Sequence, residues 1–473
     1  MKPLIRGSLL GLAMALSACQ VMGPNYHLPQ QAAVNRPDLQ GALAAQDHDV
    51  VSAPVPADWW RLYQDPRLDT LVQQALAANT DLRVAAANIQ RAQNQLEFAQ
   101  AQGGFSTSVS GEVQRVQESG QAFLLTEKVP VGNIGAFSIK TSYQFDMWGV
   151  FQRGVEAASA NAEAAQAAAD LARITVVANV VRAYTQVCAA NEERDIALRS
   201  LGLQQEGVSL AQRLRDAGRG DETQVTRTQT QFKSLRAQLP QYEAERQAGV
   251  SQLAMLLAKP ANQLPAGTDS CAELPKIAQL LPVGDGAALL KRRPDIRQAE
   301  RKLAAATADI GVATGQLYPD ISFGATVGTV GLLDDLGTPS TNRWAFGPLI
   351  NWTIPTNGSR AKVRVAEAST QAALASFDGT VLNAIRETQT ALANYTAALQ
   401  RREALVDTDR SAHDAADQTH RFYLAGRQSF LEDLQATRTY TDVRAQLAAA
   451  NTQVAMAQIT LFMALGGGWE QRK

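Results

Sequence analysis

Residues 135–147 read GAFSIKTSYQFDM. Phe137, Ile139, Tyr143, Phe145 and Met147 alternate with Ser138, Lys140, Ser142, Gln144 and Asp146. Alternation with a period of two over about ten residues suits a tilted transmembrane β-strand, apolar toward lipid and polar toward a lumen. Three more runs share it. Phe105, Val109 and Val113 are interleaved with Ser106, Ser108, Ser110, Glu112 and Gln114. Ile321, Phe323, Ala325 and Val327 alternate with Ser322, Gly324, Thr326 and Gly328. Trp344, Phe346, Ile350, Trp352 and Ile354 alternate with small or polar residues. Trp344 and Trp352 suit aromatic girdles, while Pro348 in the fourth run removes one ladder donor. The competing reading is two soluble hairpins, each with one wet face.

Four strands decide the assembly. Known membrane barrels start at about eight strands. An open four-stranded sheet in lipid leaves its edge N–H and C=O groups unpaired. Several chains must therefore share one barrel.

Working outward, the chain repeats itself. Ala217-Gly218-Arg219 recurs as Ala425-Gly426-Arg427, and Arg236-Ala237-Gln238-Leu239 as Arg444-Ala445-Gln446-Leu447. Both pairs lie 208 apart, as do Leu257 and Leu465. Upstream the offset drifts to 214, where Asp81-Leu82 faces Asp295-Ile296 and Ile89 faces Leu303. Colinear matches of this kind read as a tandem of two structural units.

Each unit has the order helix, two strands, long helix, return helix. Helices are expected over 68–101, 152–216 and 222–257 in the first unit, and over 287–317, 360–424 and 430–465 in the second. Gly103-Gly104, Gly218, Gly220, Gly426 and the 466–468 glycine run mark their ends. Pro240 is a candidate kink. The long helices, about 95 Å at 1.5 Å per residue, imply a coiled-coil-like assembly. The expected divisions are 1–18 signal peptide, 19–66 lipid-anchored extended segment, 67–258 first repeat, 259–285 equatorial connector, 286–466 second repeat and 467–473 tail.

The N-terminus sets the compartment. Lys2 and Arg6 precede an apolar stretch that ends in Leu16-Ser17-Ala18-Cys19. This is a signal peptide, too short to span as a helix. The last four residues resemble a bacterial lipoprotein box, in which Cys19 becomes the lipidated N-terminus. Gln20 after the cysteine resembles sorting to the outer membrane. No later run reaches 18 uninterrupted apolar residues, so no inner-membrane helix is expected.

Composition narrows the rest. The 473 residues carry 44 basic and 45 acidic side chains, which argues against a nucleic-acid binder held by bulk charge. Aromatics are 6% while roughly one residue in six is alanine. That favours long, closely packed helices over a broad core. Four histidines and three cysteines leave little for a metal cluster and exclude a disulfide-dense scaffold. No nucleophile–His–acid motif is present, so no enzymatic activity and no cofactor are expected.

The residues that carry a resemblance span nearly the whole chain. They are Gly23-Pro24-Asn25-Tyr26 and Pro29; Asp58-Trp59-Trp60 with Asp65-Pro66-Arg67-Leu68; and residues 142–149, SYQFDMWG. In the second half they are Arg292-Arg293-Pro294-Asp295-Ile296 with Ala299-Glu300-Arg301, Tyr318-Pro319, Phe346-Gly347-Pro348, and residues 464–469, ALGGGW. Together they resemble the outer-membrane factor family, the TolC-like exit ducts of tripartite efflux pumps and type I secretion. The lipoprotein branch that serves drug and metal efflux is most similar. Two places depart from the pattern: Gly103-Gly104-Phe105 stands where the second repeat has Leu317-Tyr318-Pro319, and the first tip, residues 218–222, is unusually charged.

The resemblance implies a homotrimer with a twelve-strand β-barrel, a twelve-helix periplasmic α-barrel and an equatorial belt. It implies a passive duct for drugs, metals or organic acids. A periplasmic adaptor would meet the helical tips, and an inner-membrane pump, RND-type or other, would supply the energy. The alternative is a non-pore structural or adhesive coiled-coil lipoprotein of the outer membrane.

Within that frame Asp414 and Asp417, three apart on one helix face, would form a ring of six acids in a trimer. Such a ring suits a periplasmic gate that favours cations; the plainer reading is a solvated face. The turns with Gly218, Arg219, Gly426 and Arg427 are the expected adaptor contacts. The two arginines otherwise only neutralise helix C-terminal dipoles. His413 and His420 are expected as surface residues, not metal ligands. Oxidising surroundings permit a Cys188–Cys271 bridge, but two separate thiols are expected.

Overall fold

The computed structural model describes residues 21–39, 50–277 and 279–467. Cys19, the signal segment and the 468–473 tail lie outside the described residues. The chain builds two compact units, each from three separate stretches. One takes residues 1–29, 89–165 and 299–377, and the other 30–88, 166–298 and 378–473.

The helices are α1 Pro66–Ala78, α2 Thr80–Gln102, α3 Val150–Asp216, α4 Glu222–Leu256, α5 Gly286–Arg292, α6 Pro294–Gly315, α7 Asn357–Leu424 and α8 Phe430–Ala464. The main strands are β1 Phe105–Val116, β2 Gly132–Phe145, β3 Asp320–Leu332 and β4 Asn342–Asn351. The repeats agree in length: α3 and α7 have 67 and 68 residues, and α4 and α8 have 35 each. At 1.5 Å per residue the long helices run about 100 Å. Helix α4 continues through Pro240 without a break.

Two expected helices are each two. The first divides at Asn79, which is extended at ψ 136°. Its Oδ1 accepts from the N–H groups of Asp81 (2.9 Å) and Leu82 (3.2 Å), capping α2. Its Nδ2 donates to the Leu256 carbonyl at 2.9 Å, so the side chain is buried and satisfied. The other divides at Arg293, because proline at 294 disfavours helical backbone before it.

One core lies in the second unit. Trp59 stacks on Phe462 with ring centroids 4.7 Å apart. Around them pack Leu68, Leu71, Val177, Val181, Leu253 and Leu257, all with negligible exposure. This core also accounts for apolar helix windows. Helices α3 and α8 each hold an 18-residue window apolar enough to cross a membrane by length and composition, and 44% and 50% of those windows is buried inside the protein.

The expectation of two separate thiols fails. Cys188 and Cys271 form a disulfide, with Cα atoms 4.9 Å apart across a sequence separation of 83. The physical cause is local. Asn191, three residues along α3, donates from Nδ2 to the carbonyls of Asp269 (2.9 Å) and Cys271 (2.8 Å). The Leu274 N–H donates to Glu192 at 3.2 Å. These bonds lay the connector on α3 and bring the sulfurs together.

Candidate functional site: an open sheet and two helical tips

The four strands form one antiparallel sheet in the order β1-β2-β3-β4. The register sorts the faces. One row is Val109–Ile139–Val327–Trp344, and another is Phe105–Tyr143–Phe323–Pro348. The opposite face has Ser110–Ser138–Gly328–Arg343 and Ser106–Ser142–Gly324–Gly347. Serine hydroxyls pair across it, Ser106 with Ser142 and Ser110 with Ser138, each at 2.9 Å. Gly328 is required there, since a Cβ would strike the Phe137 carbonyl and Ser138. The apolar face is uncovered: Phe105, Val109, Ile139, Phe323, Val327, Trp344 and Ile350 are all exposed. Among the described residues, strands β1 and β4 each have one unpaired edge. Pro348 is accommodated because β4 is such an edge strand.

Aromatic rings gather at the helical end of the sheet. Phe105 lies 4.9 Å from Tyr143, and Trp148 stacks on Tyr318 at 4.5 Å. Trp148 donates to the Pro319 carbonyl (3.0 Å) and Trp352 to that of Leu317 (3.1 Å). Of the two tryptophans expected in girdles, Trp352 lies at this helical end of the sheet. Trp344 lies mid-sheet in register with Val327 and stacks on Phe346.

The tips sit at the ends of α3 and α7. Gly218 and Gly426 both adopt φ +68°, in the left-handed region. At the first tip the Arg219 N–H donates to the Leu214 carbonyl and the Gly218 N–H to that of Arg215. At the second, Arg427 donates to Phe422 and Gly426 to Tyr423. This paired closure satisfies carbonyls that a helix end leaves open, and it favours glycine at the left-handed position, where a Cβ adds strain. The next helices are capped at once. Asp221 accepts from the Gln224 N–H at 2.8 Å, and Ser429 with Glu432 forms a reciprocal capping box. Arg219 and Arg427 are both exposed, and the Arg427 guanidinium lies 5.9 Å from the Phe422 ring centre. The Ser429-x-x-Glu432 pattern is a sequence signal for this cap.

Asp414 and Asp417 lie in the last third of α7. Asp414 is exposed, and Asp417 forms an ion pair with Arg421 one turn on. His420 Nδ1 lies 3.1 Å from Oδ2 of the buried Asp433, and His413 packs 5.1 Å from the Tyr440 ring. Among the described residues no group of three or more His, Cys, Asp or Glu could hold a metal ion. On α3, burial is the main reason that the Glu193 carboxyl is held above its ordinary range, against a hydrogen bond from Thr452 that lowers it.

The comparisons with known proteins agree with this geometry. The family profile described as Outer membrane efflux protein matches residues 71–259 and 287–467. The chain is 29% identical over 465 residues to nodulation protein T of Rhizobium leguminosarum bv. trifolii, covering 97% of this chain and 96% of that protein. It is 29% identical over 476 residues to outer membrane protein OprJ of Pseudomonas aeruginosa, covering 99% and 97%. The solved structure of the outer-membrane channel OprN superposes with a TM-score of 0.86 at 31% identity, covering 95% of this chain and all of that one. A profile that covers both halves, joined to a sheet with one lipid-ready face, places the chain in the outer membrane efflux protein family, a family of channels rather than enzymes.

Proposed function

We propose that three copies of this chain form the passive exit channel of a tripartite efflux system. The observation that carries the reading is the four-stranded sheet with an apolar exposed face and an unpaired edge at each side. Lipid requires every edge to be paired, and three such sheets supply twelve strands in one closed barrel. The Ser- and Gly-rich face lines the lumen. Small molecules arrive from a periplasmic adaptor fed by an inner-membrane pump, RND-type or other. Drugs, metals and organic acids are the candidate cargo classes. Cys19 carries the lipid.

The tips around Gly218, Arg219, Gly426 and Arg427 meet the adaptor, and Asp414 and Asp417 from three chains ring the periplasmic mouth. The test is heat-modifiable migration of the purified protein together with single-channel conductance in planar bilayers. A heat-sensitive trimer that conducts supports the channel. A trimer that never conducts, even in an Asp414→Ala, Asp417→Ala variant, favours a structural coiled-coil lipoprotein. If the wild type conducts and that double variant leaves resting conductance unchanged, the two aspartates do not form the gate.

A further inference from the structure

Residues 21–26 do not trail away from the first unit; they are held in a built groove. The Met22 N–H donates to the Trp148 carbonyl at 3.1 Å. Arg153, on the first turn of α3, is almost completely buried. Its guanidinium donates to the Met22 carbonyl (3.1 Å), the Gly23 carbonyl (3.2 Å), Asn25 Oδ1 (2.7 Å) and Glu156 (2.7 Å). Three glycines make the groove deep enough. A Cβ on Gly311 would lie 2.7 Å from the Met22 carbonyl oxygen and 2.6 Å from Arg153 Cγ. A Cβ on Gly149 would lie 2.6 Å from the Val21 side chain, and one on Gly23 would strike the Gly311 backbone. Tyr26 closes the far end. Its hydroxyl donates to Glu300 at 3.3 Å and the Arg301 guanidinium lies 5.6 Å from its ring centre. Burial, then the Glu300 charge, pushes the hydroxyl up to about 12.

A buried arginine with three bonds to one short segment is costly unless that segment stays in place. The groove floor includes Trp148 and its neighbour Gly149, at the aromatic end of the sheet. We propose that the groove of Gly149, Arg153 and Gly311 is a docking site for the chain's own residues 21–25, and that it fixes the level at which the lipid on Cys19 enters the membrane. The lipid part rests on the lipoprotein reading above. Cys19 lies two residues before Val21, a reach of about 7 Å at most. The acyl chains therefore enter beside Trp148 and Tyr318, at the interface that such rings mark. The segment acts as a fixed strap and not as a slack tether.

The test uses the full-length protein in vesicles of phosphatidylethanolamine and phosphatidylglycerol, with a nitroxide attached through Met22→Cys. The N-terminal peptide is weighed in parallel. The unaltered groove should hold the label immobile and at interfacial depth, read from relaxation by oxygen against a nickel chelate. Arg153→Met removes the guanidinium but keeps the stem, and Gly311→Ala fills the groove. Each should free the label and raise protease cleavage within residues 21–29 at least ten-fold, with trimer migration unchanged. A label that is mobile in the unaltered groove, or equally immobile in both variants, overturns the docking site. An unmodified Cys19 mass with an immobile label overturns the lipid part and leaves the docking site standing. A lipidated Cys19 with the label outside the interfacial depth overturns the positioning role.

Discussion

The two tips have the same backbone and opposite chemistry. In the first repeat, Arg215 reaches across the turn to Glu222 at 3.1 Å. The equivalent pair 208 residues on is Tyr423 and Phe430, with ring centres 5.9 Å apart. Asp216 corresponds to Leu424, which is 70% exposed. Both turns nevertheless close through the same two backbone bonds around a glycine at φ +68°. Capping therefore fixes the turn, while the side chains that span it are free to diverge. One tip thus offers a charged surface and the other an apolar one, though both grow from the same repeat.

The largest expected difference between the repeats is covalent. Cys188 has Thr396 as its counterpart 208 residues on, so only the first long helix is bridged to the connector. Chain-entropy arithmetic for a loop of this size gives about 4–5 kcal/mol. The Cys188→Ala, Cys271→Ala protein should melt earlier by circular dichroism. Hydrogen exchange should rise in residues 259–277 and the adjoining part of α3, and not in α7. A uniform rise through both long helices would erase the distinction.

Next in size is the contrast across the turns. Phe430 is buried, packed with Ala211 and Val225. Phe430→Ala should cost about 3 kcal/mol, the low end for a buried aromatic. Glu222 is exposed and Arg215 half-exposed, so Glu222→Ala should cost much less than that, and less still in high salt. Equal losses in parallel thermal melts would mean that the ion pair contributes as much as the aromatic pair, against the reading of interchangeable side chains.

The shared backbone of the two turns makes its own demand on the glycines. Among the described residues, no atom beyond the immediate chain neighbours lies within 4 Å of a Cβ built on Gly218 or Gly426. Only backbone strain then opposes alanine, about 1–2 kcal/mol at each. Gly218→Ala and Gly426→Ala should lower the melting midpoint by the same amount. Unequal shifts would show that the turns differ in more than their side chains.

What the sequence revealed follows from the range of each interaction. The tandem, the four strands and the glycine-marked helix ends were legible because they rest on periodicity and on residues whose local conformation is restricted. The break at Asn79 was not, since its partner is the Leu256 carbonyl, 177 residues away. The bridge between Cys188 and Cys271 is hidden for the same reason: the bonds of Asn191 that bring the thiols together exist only after the connector has folded. The Arg153 groove has signals, the glycines at 149 and 311 and the Gly-Pro-Asn-Tyr run, but nothing in one sequence says that they meet. Of the tips, the turns and their arginines are legible, whereas the Arg421 partner of Asp417, one turn away, is fixed only by the rotamers the two side chains adopt.

The smallest effect tests the repeat at its other end. Helix α4 closes through bonds from Ala258 to the Met255 carbonyl and from Lys259 to that of Ala254. Helix α8 closes in the same way, from Gly466 to Met463 and from Gly467 to Phe462. The residue that must turn left-handed is Gly466 at φ +68° in one repeat and Ala258 at φ +51° in the other. Alanine there bears about 1–2 kcal/mol of strain that glycine avoids. Glycine in turn loosens the unfolded chain by about 0.4–1 kcal/mol. Ala258→Gly should therefore stabilise the protein by about 0.5–1 kcal/mol, a small upward shift of the melting midpoint, while Gly466→Ala should lower it. If Ala258→Gly lowers the midpoint instead, the methyl group packs well enough to outweigh the strain, and the two return helices do not end alike in energy even though they end alike in geometry.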